Sequence, residues 1–153
     1  MTKEQIQIIK DCVPILQKNG EDLTNEFYKI MFNDYPEVKP MFNMEKQISG
    51  EQPKALAMAI LMAAKNIENL ENMRSFVDKV AITHVNLGVK EEHYPIVGAC
   101  LLKAIKNLLN PDEATLKAWE VAYGKIAKFY IDIEKSSMIN NTSPFWALIK
   151  FFY

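Results

Sequence analysis

FVDKVAITHVNLG, residues 76–88, sets Phe76, Val77, Val80, Ala81 and His84 at three- and four-residue steps and ends on Gly88. Steps of that size gather side chains on one face of a helix, and glycine readily closes such a helix. His84 therefore takes an apolar slot of an amphipathic helix. Two readings fit it: a ligand to a metal centre, or a buried histidine satisfied by a backbone carbonyl. Spacing alone does not separate them.

The same period recurs on both sides. Ile6, Ile9, Val13 and Leu16 predict a first helix from Lys3 to about Asn19, stopped by Asn19-Gly20. Leu23, Phe27, Ile30 and Met31 predict a second from Asp22 to Tyr35, ended by Pro36. PEVKPMFNM, residues 36–44, has prolines four apart and reads as a tight corner with room for one short helical turn. A central helix follows Ser49–Pro53, with Leu56, Ile60, Ala63, Ala64 and Ile67 on one face. Beyond Gly88, helices are expected over Glu92–Leu109 and Glu113–Lys135, parted by Asn110-Pro111-Asp112. Strand-like alternation is absent, so the expected class is all-α.

Composition narrows the function. The chain has 153 residues, enough for one domain and one core, with a net charge of -1 and no basic surplus for nucleic acid or anionic membrane. Its five glycines form no phosphate loop, and Cys12 and Cys100 sit in apolar periodic segments, as reduced cysteines of a cytoplasmic protein would. MTKEQIQIIKDC lacks the apolar run of a secretory signal, and no stretch reaches the ~20 apolar residues of a membrane span. No CxxC or HxxxH pair is present for zinc, and His93 lies among charged neighbours, as a surface residue would. Haem asks for less: one imidazole and an apolar cage, which eight Met and eight Phe can help supply.

Three polar residues each admit two roles. Tyr28 is a core tyrosine or a donor to a bound ligand. Gln52 completes an S-x-x-Q capping box with Ser49, unless Pro53 moves the helix start and frees it. Glu134 extends the stripe Trp119, Tyr123, Ala127, Tyr130 by four, yet beside Lys135 it also reads as a solvated carboxylate.

LTNEFYKIMF, PEVKPMFNMEKQISGEQPKAL, IENL, HYPIVGACLL and AWEVAYGKIA together resemble the globin domain of bacterial flavohaemoglobins and their single-domain relatives, from about Lys3 to Glu134. The resemblance implies a globin fold around b-type haem, with His84 as the iron ligand and Phe42 wedging the ring at the corner. It implies Tyr28, Gln52 and Leu56 on the distal side, where Tyr28 and Gln52 donate to bound dioxygen. On the proximal side it implies Tyr94 and Glu134 around His84, with Glu134 accepting the Nδ1 proton and strengthening the imidazole as an electron donor. The implied activity is conversion of nitric oxide to nitrate with dioxygen bound at ferrous haem. Dioxygen carriage or storage, or gas sensing, is the alternative.

The departures from that family are two. Its FAD and NAD(P)H module does not follow, so a separate reductase is expected, and Thr83 precedes His84 where many full-length relatives carry lysine. The division expected is a globin domain over 1–135 and a tail over 136–153 that begins polar and turn-rich and ends in FWALIKFFY. A monomer is expected.

Overall fold

The computed structural model describes residues 1–141, and among them helices account for all regular structure, with no strand. They are α1 (Lys3–Asp11), α2 (Val13–Asp34), α3 (Met44–Ile48), α4 (Glu51–Lys65), α5 (Arg74–Leu87), α6 (Tyr94–Leu109) and α7 (Glu113–Asn141). Short 3₁₀ turns at Pro36–Met41, Leu70–Met73 and Glu91–His93 connect them. No helix of the described residues is long and apolar enough to cross a membrane.

The first two helices divide elsewhere than their periodicity predicts. The break falls at Cys12, because Pro14 has no amide to donate to the carbonyl of Lys10, while a proline in the first turn of α2 leaves no bond unmade there. Asn19-Gly20 does not stop a helix. Gly20 is buried inside α2, where a Cβ would lie 3.3 Å from the Ala57 Cβ, so glycine here serves the close approach of α2 to α4. Gly88 and Asn110 do end α5 and α6, each in the left-handed region at φ 74° and 41°. The polar stretch from Ser136 begins as helix, since α7 runs on to Asn141 with the Ser136 and Ser137 hydroxyls bonded to the carbonyls of Asp132 and Ile133. FWALIKFFY lies outside the described residues.

α2 packs between α4 and α6, while α7 packs against α1, α5 and α6. The core between them holds Leu23, Phe27, Met31, Ile67, Met73, Val77, Ile105 and Trp119, all nearly inaccessible to solvent. α4 and α5 make no comparable contact with each other. Two tyrosines, Tyr28 and Tyr130, are buried in this interior. Burial pushes both phenols up to about 12, for Tyr28 against the opposing influence of the Gln47 amide and for Tyr130 with the Glu134 carboxylate adding to it.

Gly20→Leu should lower stability by ~1–3 kcal/mol through overpacking against Ala57, while Gly20→Ala stays near neutral because helix propensity returns ~1 kcal/mol. Urea midpoints read both, and a leucine variant as stable as the parent contradicts the close approach. Both buried phenols favour the protonated form in the folded state. Their contribution is therefore complete below the unfolded value of about 10 and fades as pH rises from there through about 12. Urea unfolding at pH 9, 10 and 11, with tyrosinate absorbance alongside, should show stability falling across that window and Tyr28→Phe flattening the fall.

Candidate functional site

His84 stands in the last turn of α5, with its side chain 29% exposed. Its Nδ1 lies 2.6 Å from Oε1 of Glu134, a residue of α7 that is only 4% exposed. Glu134 is thus not the solvated carboxylate that its place beside Lys135 allows. Tyr94, the first residue of α6, donates its hydroxyl to the same oxygen at 2.5 Å. That spends the one phenolic proton on the carboxylate. A lone pair on Nδ1 would face the lone pairs of Oε1, so the short bond puts the ring proton on Nδ1 and leaves the lone pair on Nε2.

Tyr94 is held in turn. Tyr123 donates to its backbone carbonyl at 2.6 Å and lies against Gly98, where a Cβ would come within 2.5 Å of the ring. Burial first, and then the bond to Glu134, keep the Tyr94 phenol far above its ordinary value, so it acts as a donor throughout the physiological range. The Tyr130 ring flanks His84 with centroids 6.3 Å apart.

A second group of candidates lies on α2, the corner after it and α4. Tyr28 on α2 is buried, with its ring 4.9 Å from that of Phe27 and 5.7 Å from those of Phe32 and Phe42. Phe42 follows the 3₁₀ turn in extended conformation, which brings the corner back onto α2. Gln52 does not cap α4. Gly50, left-handed at φ 79°, holds the cap position, and Gln52 Oε1 accepts from Gln47 Nε2 at 2.8 Å. Leu56, one turn further along α4, is half-buried against the core. The Thr24 hydroxyl, wholly buried, donates to the Pro53 carbonyl at 2.8 Å and ties α2 to the start of α4.

The structure brings His84, Tyr94 and Glu134 together in one cluster and Tyr28 and Phe42 in another, with Gln52 and Leu56 one turn apart on α4. Gly20, Thr24, Gln47, Gly98 and Tyr123 hold these groups in place and were not among the sequence candidates. Two of them left a legible trace, Thr24 four residues before Tyr28 on the same helix face and Tyr123 on the stripe that Glu134 extends.

These residues fit a haem. Among the described residues, no cluster of three or more His, Cys, Asp or Glu could hold a bare metal ion, whereas a porphyrin brings its own four nitrogens and asks for one imidazole. No described residue engages His84 Nε2. Phe42, Leu56, Ile60 and Val80 pack on the core yet keep part of their apolar surface uncovered, as the lining of a slot for a flat hydrophobic ring would.

The profile of the globin family matches residues 25–129. A bacterial globin from Campylobacter jejuni is 98% identical and superposes with a TM-score of 0.89, over 90% of this chain and 99% of that one. A Rhodothermus marinus protein, provisionally assigned as a nitric oxide dioxygenase and engineered as a carbene transferase, is 28% identical with a TM-score of 0.84, over 94% of this chain and 99% of that one. Among curated relatives, a flavohaemoprotein of Schizosaccharomyces pombe is 44% identical over 99% of this chain and one of Pseudomonas putida is 47% identical over 89%. The chain spans only 36% of the length of each. The match to the family profile, the all-helical architecture and the similarity to a solved bacterial globin lead to one conclusion: this chain belongs to the globin family.

Proposed function

We propose that this chain holds b-type haem on His84 and detoxifies nitric oxide by dioxygenation to nitrate. The observation that carries the reading is the 2.6 Å bond between His84 Nδ1 and the buried Glu134. Relatives named flavohaemoprotein, and a similar structure provisionally assigned as a nitric oxide dioxygenase, support it.

Haem, when bound, supplies the iron at which dioxygen and nitric oxide combine. The chain supplies the electrostatics. Glu134 accepts the Nδ1 proton, which makes the opposite ring nitrogen a stronger electron donor, and Tyr94 keeps Glu134 in place by its own hydrogen bond. Both are positioning residues, since they act through His84. Tyr28 and Gln52 face the gas ligand as hydrogen-bond donors and favour negative charge on it. Each such bond contributes ~1.5–3 kcal/mol, roughly ten- to a hundredfold in ligand retention. Phe32 and Phe42 beside Tyr28 keep water from competing for its proton. The electron that restores the ferrous state comes from a reductase module or protein outside the described helices.

Purified protein should show a haem Soret band that His84→Ala loses or shifts; an unchanged band removes His84 as the ligand. Tyr28→Phe should raise the dioxygen dissociation rate about ten- to a hundredfold. Catalytic nitric oxide consumption with an added reductase tests the enzyme reading, and a single stoichiometric reaction without turnover would leave a dioxygen carrier instead.

A further inference from the structure

The corner between α3 and α4 is built more tightly than a surface turn requires. Asn43 caps α3, its side-chain oxygen accepting from the amides of Glu45 at 2.9 Å and Lys46 at 3.2 Å. Gly50 then reverses the chain at φ 79°, where a side chain would be strained although nothing crowds it. Outside the turn, Lys46 Nζ and Glu51 Oε1 pair at 3.1 Å with both side chains more than half exposed. Inside it, Gln47 and Gln52 pair through their amides at 2.8 Å and are half-buried.

The inner pair does more than close the turn. A glutamine amide nitrogen carries two hydrogens. One hydrogen of Gln47 goes to Gln52 Oε1 at 2.8 Å, so the glutamine of the distal wall on α4 is held from α3. The same amide works against the burial that holds the Tyr28 proton in place. A glutamine held by its carbonyl keeps both amide hydrogens.

We propose that Gln47 is a positioning residue of the distal pocket: its amide holds the Gln52 carbonyl, so that the Gln52 amide hydrogens remain for the gas ligand. This rests on the haem reading above. Gln47 needs no contact with the ligand, because its effect passes through Gln52. The helix that carries Gln47 is set by the Asn43 cap and the Gly50 turn.

Gln47→Glu gives the sharpest test, since it keeps size and shape but replaces a donor by an acceptor. The carboxylate should draw the Gln52 amide hydrogens toward itself and away from the ligand. The dioxygen dissociation rate of the haem-loaded protein should rise about tenfold or more, and the infrared stretch of bound carbon monoxide should move to higher frequency as donors withdraw. Gln47→Met, which removes the amide without adding charge, should raise the rate about threefold and carries the test if the glutamate variant fails to fold. The iron–histidine stretch of the ferrous protein should match the parent in both, because the proximal side is untouched. Rates within twofold of the parent in both variants, with Tyr28→Phe still accelerating release, would overturn the role of Gln47 and leave the distal donors standing. No acceleration in Tyr28→Phe would overturn the donor reading and Gln47 with it.

Discussion

A carboxylate is expensive to remove from water, and Glu134 is 4% exposed in the interior of an apolar helix bundle. It can rest there because two donors reach one of its oxygens, the Tyr94 hydroxyl and the His84 ring. Those donors arrive on different helices, so the requirement that this charge be met fixes α5, α6 and α7 relative to one another. Tyr123 and Gly98 extend the constraint into the backbone of α6, since the Tyr123 ring occupies space that any other residue at 98 would need. The proximal half of the molecule is organised around one buried oxygen.

The distal half is held by different means. Its polar groups are few, and its walls are set by close packing of α2 on α4 at Gly20 and by the Thr24 to Pro53 bond. An aromatic cluster of Phe27, Tyr28, Phe32 and Phe42 then closes the corner. Because α4 and α5 share no contact comparable to that of α2 on α4, neither half determines how far apart they stand. A rigid planar ligand anchored on His84 would set that separation, and it would bury the apolar edges of Leu56, Ile60 and Val80.

Sequence periodicity carried the fold a long way, because amphipathic helices advertise their buried faces. The stripe through Val77, Ala81 and His84 and the stops at Gly88 and Asn110 stand as read. The error at Asn19-Gly20 has a plain cause. A glycine inside a helix and a glycine ending one look alike in a single sequence, and what separates them here is Ala57, thirty-seven residues away. Of the site, family resemblance supplied the polar residues, and the geometry added their supports. Gln47 could not be read in advance, since it acts through a partner on another element. For Glu134 the residues alone left two readings open, because its charge and position beside Lys135 point to solvent while its burial depends on two distant donors, and the resemblance put it beside His84.

The two readings open for His84 are separated by its two ring nitrogens. A histidine that merely fills a core position must find partners for both nitrogens or leave one at the surface, because an unpaired buried nitrogen is costly. Here Nδ1 has the strongest partner available, a buried carboxylate, while Nε2 has none among the described residues and belongs to a ring 29% exposed. Holding the proton on Nδ1 leaves the lone pair on Nε2. That arrangement suits a ligand in waiting, and the carboxylate that creates it also makes the lone pair a better donor.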